Sequence, residues 1–251
     1  MILVLDIGNT RIKWARVSGR RVFAPGEVAH TDSPQHALRV MAEAQPGDIS
    51  RLAVTNVGGE ALRRAVTAVA RDHWGITPQF VTPVRDAHGV RCAYADPARL
   101  GADRWVALIA AHRLSRGAAG VIDAGTTVTL DAVDAQGRHL GGLIMAGPRV
   151  AFAALDRATS GIAQTAAALD VPNGTGLLAD TTDAAVVHGA MLSIAGGLDR
   201  ALRVVSRRLG ERPSVFITGG DAERLAGWLE TETQHRAHLV LEGLALIVAE
   251  S

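Results

Sequence analysis

Three short stretches carry side chains whose types and spacing could do chemistry together: Asp6-Ile7-Gly8-Asn9-Thr10, Asp123-Ala124-Gly125-Thr126-Thr127 and Gly101-Ala102-Asp103-Arg104. In the first two, a carboxylate ends an apolar run and a glycine follows two residues later. Glycine lets backbone N–H groups come close to a phosphate, and the threonine hydroxyls add donors beside them. Magnesium takes oxygen ligands and keeps several waters, so one carboxylate beside such a turn suffices for it. Two of these turns facing each other across a cleft would grip an ATP tail from both sides. The plainer reading stands beside this one: Asp, Gly and Asn are common turn residues, and Asp6 also suits a hairpin. In the third stretch, Asp103 can be a helix N-terminal charge or cap. It can equally be a general base for a substrate hydroxyl, with Arg104 holding an anion. Tyr94 is the only tyrosine and Lys13 the only lysine. Lys13 can reach a phosphate or be one more exposed strand residue.

Other catalytic and nucleotide-binding signatures do not occur. The chain has no G-x-x-x-x-G-K-[ST] loop, no G-x-G-x-x-G after a strand, and neither H-E-x-x-H nor G-x-S-x-G. The nine histidines show no ligand-like clustering, and His30, His36, His88 and His112 read as surface or satisfied polar residues. The lone Cys92 reads as a small buried hydrophobe, which excludes a disulfide framework and a cysteine zinc site. A formal net charge of +1 implies no pull toward nucleic acid or an anionic membrane. With 48% hydrophobic residues in 251, the chain can build a sizeable core as one large domain or two lobes. No run approaches a membrane span and no signal-peptide pattern opens the chain, so a cytoplasmic protein is expected.

The elements that must position these residues follow from periodicity. Ile2–Leu5 and Arg11–Val17 read as strands, the second with Ile12, Trp14 and Arg16 on one face. A short strand begins at Val22-Phe23. Ser33–Ala44 reads as a helix, Leu52–Val57 as a strand, Glu60–His73 as an amphipathic helix, Gln79–Val81 as a strand and Pro97–Arg113 as mostly helix. The second half starts over: strands at Gly120–Asp123, Val128–Val133 and Leu140–Met145, then helices at Arg149–Thr159 and Ala184–Leu209. Ser214–Thr218 reads as a buried strand, Asp221–Glu230 and Glu242–Ala249 as closing helices, and Asn173–Thr182 as a loop. The echo of LDIGNT in IDAGTT, each opening a strand–turn–strand–turn–strand meander, marks a duplicated domain. An α/β fold of two lobes is expected, residues 1–115 and 116–251.

Taken in order, the motifs DIGNTRIKW, YADPARLGADRW, VIDAGTTVTLDAV, GGLIMAGP, TTDAAVVHG, FITGGD and HLVLEGL resemble the type III pantothenate kinases. That family is related to the Bvg accessory factors, within the superfamily of actin, sugar kinases and chaperone ATPases. The resemblance implies a duplicated ribonuclease H-like, actin/sugar kinase-type fold of two lobes with a cleft between them. It implies ATP-dependent phosphorylation of pantothenate, the first step of coenzyme A biosynthesis. The family's first phosphate motif falls on Asp6-Ile7-Gly8-Asn9-Thr10-Arg11-Ile12-Lys13, with Asp6 on the Mg2+ side. Its G-x-D-R motif falls on Gly101, Ala102, Asp103 and Arg104, which makes Asp103 the expected base and Arg104 a contact to the pantothenate carboxylate. Tyr94 matches a substrate-contacting tyrosine, and Thr182 a pantothenate-contacting threonine. The second phosphate motif runs from Asp123 to Thr129 and includes Gly125, Thr126 and Thr127, with Thr126 near ATP phosphate. Asp123 matches the ligand of a monovalent cation, K+ or NH4+. Family members are homodimers with substrate bound near the subunit interface. This chain departs from the pattern at Cys92-Ala93, where Asn-Gly is common, and at Thr181, where Asn is usual. Two other readings stand beside the kinase: a sugar or amino sugar kinase of the same superfamily, and a non-catalytic accessory factor acting on a transcription partner. The intact Asp6, Asp103 and Asp123 weigh against the latter.

Overall fold

The computed structural model describes residues 1–30, 33–45, 47–158 and 177–250. It separates into two compact units: residues 1–116, 136–139 and 238–251, and residues 117–135 and 140–237.

The first unit is built on a five-stranded sheet. β1 (Ile2–Ile7), β2 (Arg11–Ser18) and β3 (Arg21–Ala29) form an antiparallel meander, and β4 (Arg51–Asn56) and β5 (Gln79–Phe80) extend it in parallel on the far side of β1. β1 is apolar at five of its six positions because both its faces are covered. Leu3, Leu5 and Ile7 point to one face, where α1 (Pro34–Glu43) and α2 (Glu60–Trp74) supply Leu38, Met41, Leu62 and Val66. Side chains alternate along a strand, so Val4 and Asp6 turn to the other face. On that face α7 (Leu239–Glu250) packs on β1 to β4, and α3 (Ala102–Ser115) packs on β4 and on α7. Arg16 reaches back to Gln45, just past α1, on the same face as Ile12 and Trp14. β3 runs to nine residues rather than the short piece expected, interrupted by a bulge at Ala24-Pro25 on this edge strand. Proline lacks a ladder N–H, which confines it to such places.

A two-residue hairpin, β6 (Asp86–Ala87) and β7 (Val90–Arg91), precedes Tyr94. The helix expected over Pro97–Arg113 is two pieces: one 3-10 turn at Pro97–Arg99, capped by Asp96, and α3 from Ala102. Leu100 and Gly101 between them are extended (ψ 138° and 136°), which starts α3 afresh and leaves Asp103 in its first turn.

The second unit repeats the arrangement. β8 (Ala119–Ala124), β9 (Thr127–Val133) and β10 (His139–Ala146) form the meander, and β11 (Ser214–Thr218) and β12 (Gln234–His235) run parallel to β8. The strand orders β3-β2-β1-β4-β5 and β10-β9-β8-β11-β12 are the same topology twice. Ile122 and Ala124 pack against α5 (Thr182–Leu209) and α6 (Ala222–Ala226), while Asp123 lies on the opposite face. α4 (Pro148–Ala158) packs on α5; Thr159, given to it by periodicity, lies outside the described residues. So does the first part of the expected Asn173–Thr182 loop, and Thr182 itself is the first residue of α5. The helix expected over Asp221–Glu230 stops at Ala226. Asp199 of α5 explains the stop. Its buried carboxylate accepts from the N–H groups of Glu230 and Thr231 (3.0 Å each) and from the Thr231 hydroxyl (2.6 Å), which takes those donors from any helix.

Candidate active site

The Asp6 carboxylate sits in a row of three across the first sheet. The ladder puts Lys13 of β2 opposite it on one side and Thr55 of β4 on the other. Residues directly opposite share a face at about 5 Å between Cβ atoms, so the lysine is turned to the carboxylate's side of the sheet. Thr55, fully buried, donates its hydroxyl to Asp6 Oδ1 at 2.7 Å. A charge-assisted bond of this kind fixes the carboxylate's orientation as the strand opens into the turn.

The turn from Gly8 to Arg11 is closed by Gly8 N–H donating to Arg11 O (3.1 Å) and anchored by Val57 N–H on Ile7 O (3.0 Å). His30 clamps it from a second side. Its backbone N–H donates to Thr10 O at 3.1 Å, and its Nε2 donates to Gly8 O at 2.8 Å. A trans peptide points its C=O and the following N–H in opposite directions, so holding Gly8 O inward turns the Asn9 N–H outward. That is the geometry an anion needs. Ile7 and Ile12 are fully buried and paired with each other, so they can offer a ligand only their backbone. Asn9 is exposed, Thr10 half-buried, and exposed Arg11 pairs with Glu27 at 2.6 Å.

In the second unit the row recurs as Thr129–Asp123–Thr218 across β9, β8 and β11. Gly125 N–H closes the turn on Thr127 O (3.0 Å), and Thr126 and Thr127 are exposed beyond it. Gly219 has φ +98° and lies against the carbonyl of Ala124. A Cβ there would stand 2.6 Å from Asp123 Oδ1, so no other residue fits. Thr55 and Thr218 each stand beside the aspartate in a parallel strand and precede a Gly-Gly pair, Gly58-Gly59 and Gly219-Gly220. That second echo, TNVGGE and TGGDAE, is the sequence signal for both threonines.

The third cluster belongs to the first unit. Asp103 stands in the first turn of α3, and its Oδ1 accepts from the Arg104 N–H at 2.8 Å. Gly101 matters here for its closeness rather than for its φ of −58°: a Cβ there would lie 2.5 Å from Asp103 Oδ1, so a larger residue would turn that carboxylate out of this orientation. Ala102 is buried in the helix start. The Arg104 side chain, nine-tenths buried, donates from Nη1 to Tyr94 Oη at 3.3 Å. Tyr94 in turn stacks on His139, ring centroids 6.0 Å apart and planes 14° from parallel. The structure thus joins Tyr94 to Arg104, and it adds His139, which the sequence did not single out. Thr182 is exposed at the first position of α5, while Thr181 before it accepts the Ala184 N–H at 3.3 Å as the N-cap. Asn and Thr both fill that role, so the departure at Thr181 leaves the cap intact. At the other departure, Cys92 is buried and Ala93 contributes a backbone N–H that any residue but proline supplies.

Among the described residues no group of three or more His, Cys, Asp or Glu side chains could cage a metal ion. A lone, oriented carboxylate fits a different cation, one that arrives on a nucleotide's phosphates and keeps its waters. No helix among them is long and apolar enough to cross a membrane.

The chain is similar over most of its length to known proteins. The family model described as Type III pantothenate kinase matches residues 2–204. A Type III pantothenate kinase of Nitrosococcus oceani is 38% identical over 258 residues, covering 100% of this chain and 95% of that protein. Among solved structures, a putative Baf family transcriptional activator from Campylobacter jejuni superposes with TM-score 0.60 at 18% identity, covering 99% of this chain and 98% of its own. A ROK hexokinase from Thermus thermophilus gives 0.50 at 15% identity, covering 98% and 97%. These structures share the duplicated fold. Matched along its whole length, with both aspartate turns and the Gly101–Arg104 corner in place, the chain belongs to the type III pantothenate kinase family.

Proposed function

We propose that the chain transfers the γ-phosphoryl group of ATP to the primary hydroxyl of pantothenate, giving 4′-phosphopantothenate and ADP, the first step of coenzyme A biosynthesis. The observation that carries this reading is the corner at the start of α3. There a carboxylate, Asp103, stands one residue before a nine-tenths buried guanidinium that is already bonded to a phenol. The two side chains match the two ends of pantothenate. Asp103 takes the proton of the attacking hydroxyl, whose oxygen forms the new bond to phosphorus as the bond to ADP breaks. Arg104 and Tyr94 hold the carboxylate end, the guanidinium by charge and the phenol by its own O–H.

Phosphoryl transfer has a loose transition state, so alignment and charge neutralisation supply most of the rate. The Gly8–Thr10 turn and Lys13 bind phosphate in the first unit, and the Gly125–Thr127 turn binds phosphate in the second. Asp6 is assigned the Mg2+ side, where the ion neutralises phosphate charge when ATP is bound. Asp123 is assigned a monovalent cation, K+ or NH4+, and Thr182 a contact to pantothenate. The duplication is placed at residues 1–115 and 116–251, and the enzyme in the cytoplasm. A homodimer is favoured by the exposed Leu143 and Ile144 on edge strand β10 and by the exposed Val150 that follows on α4.

The test is ADP release by the purified protein with ATP, Mg2+ and pantothenate, with and without K+ or NH4+, beside Asp103→Asn. Pantothenate-dependent turnover that needs the monovalent cation is expected. It should fall by roughly 10²–10⁴-fold in the variant, the range for a lost general base. Folded protein that turns over a sugar, or nothing, under every cation overturns the reading.

A further inference from the structure

His139 opens β10 and belongs by packing to the first unit, through the short 136–139 segment. It is only 5% exposed, a strong burial for an imidazole. Its surroundings fix it firmly. The segment before it is docked on the β6–β7 hairpin: Arg91 N–H donates to Gly137 O at 2.8 Å, and Arg91 and Arg138 form a β-bridge. From that base the imidazole holds the Tyr94 segment at an edge and at a face. Nδ1 accepts the backbone N–H of Ala93 in a long bond of 3.4 Å, and the ring lies nearly parallel to that of Tyr94 in an offset stack.

A separate device already holds the backbone of the Tyr94 segment. The Arg85 guanidinium donates to three carbonyls in it, Cys92 O (3.2 Å), Tyr94 O (2.8 Å) and Ala95 O (2.6 Å), while Cys92 N–H returns to Arg85 O (2.9 Å). Arg85 therefore fixes where the Tyr94 Cα lies. It does nothing for the direction of the ring, which still has its χ1 and χ2 rotations. His139 against the ring face and Arg104 at the hydroxyl restrict those. Arg104 has no acceptor, so the phenol must accept from it, which leaves the phenol's own proton directed at some other acceptor.

We propose that His139 is a positioning residue for substrate: by stacking on Tyr94 it sets the direction in which the phenol O–H meets the carboxylate of pantothenate. The inference rests on the assignment of Tyr94 and Arg104 to that carboxylate. Its expected kinetic form follows from where the contact is made. The carboxylate is remote from the reacting hydroxyl, so its binding energy is felt equally in ground and transition states. Loss of such uniform binding raises KM and leaves kcat in place. The edge and face contacts of His139 also separate. Ala93 is exposed, so water can replace Nδ1 as acceptor for its N–H. Nothing small replaces a ring face.

Two variants divide the roles. His139→Asn keeps an acceptor near Nδ1 and removes the ring; His139→Phe keeps a ring and removes the acceptor. With the asparagine, KM for pantothenate should rise about tenfold, the upper scale of an aromatic pair, with kcat and KM for ATP within about twofold. The phenylalanine should stay within about threefold of wild type on the same scale. Tyr94 is the only tyrosine, so fluorotyrosine incorporation gives a single 19F resonance that reports this ring alone. It should shift in the asparagine variant and hold nearer its place in the phenylalanine one. Tyr94→Phe and Arg104→Gln run alongside. If neither raises KM for pantothenate, the carboxylate assignment is at fault. If both raise it while His139→Asn leaves KM and the resonance unchanged, the inference about His139 is overturned. Should the asparagine variant not fold, the phenylalanine variant decides: a tenfold rise in its KM overturns the stacking role, and a near-normal KM supports it.

Discussion

Asp6 is oriented by a hydroxyl from the neighbouring strand. Thr55 is fully buried, and its proton goes to a charged acceptor at 2.7 Å, a bond worth about 1.5–3 kcal/mol. Thr55→Val keeps the shape and removes the donor. The expected result is a fall of about tenfold or more in kcat/KM for ATP, with kcat/KM for pantothenate at saturating ATP less affected. Unchanged ATP kinetics would show that the strand alone aims the carboxylate. The threonine is not legible from its own neighbourhood, because it meets Asp6 across 49 positions of chain through the β1–β4 ladder. The aspartates themselves are plain, since a carboxylate closing an apolar strand before a glycine turn is a local pattern. On sequence alone Lys13 is either a phosphate contact or an exposed strand residue. The ladder settles its side of the sheet, opposite Asp6, which no reading of β2 alone could give. His30 reads as a surface or satisfied polar residue and proves to be a buried, satisfied one; its partner, Gly8 O in the turn after β1, is what the sequence does not show.

At the scale of elements, α7 is secured at its last turn. Glu250 meets His88 Nδ1 at 2.8 Å, Arg113 of α3 in a close ion pair, and Arg20 of the β2–β3 turn at 3.9 Å. The bond from His88 and the two guanidinium charges hold its carboxyl below the ordinary 4.5, against an opposing push from burial. A depressed carboxylate stabilises the fold above its unfolded value, and the gain disappears as pH falls through the folded one. The melting temperature of wild type should exceed that of Glu250→Gln above pH 4.5 and converge with it as the pH falls below that value and the carboxylate takes up its proton. A gap that persists in acid would rule the carboxylate's charge out as the cause. Long periodic elements are legible: β11 falls on Ser214–Thr218 as expected, and α5 begins two residues before the apolar spacing places it. Short ones mostly are not. β5, two residues, does fall within the expected Gln79–Val81, but β6, β7 and β12, also two residues each, are too short to show an alternation, and α6 is cut back by donors taken by an aspartate on another helix.

At the scale of the whole molecule, the repeat is more complete than the pair of motifs suggests. Strand order, the aspartate row and the glycine pair after the neighbouring parallel strand all occur twice. The sheets differ at their edges. On β10, Leu143 and Ile144 are consecutive and both exposed, the latter 63%, an apolar edge that a folded chain in water rarely leaves uncovered. If a second copy covers it, Ile144→Glu should move the protein from dimer to monomer in sedimentation velocity, with the melting profile of the second unit largely kept. A wild-type protein that sediments as a monomer at micromolar concentration would remove the homodimer from the account.

Sequence order and packing part company at α7. The helix is made after the whole second unit, yet its apolar side lies on the sheet of β1 to β4, made before that unit, and Gly243 lets it approach α3 so closely that a Cβ would sit 2.6 Å from Val106 Cγ1. On a ribosome, the second unit has all its parts before the first does. The Asp6 face of the opening sheet must wait for well over half of the chain to be synthesised, on the order of ten seconds at ordinary elongation rates. For that interval Val4 and its neighbours are uncovered on that side. A nascent-chain holdase, or slow codons ahead of residue 238, would bear on the yield of this enzyme more than any change in its finished stability.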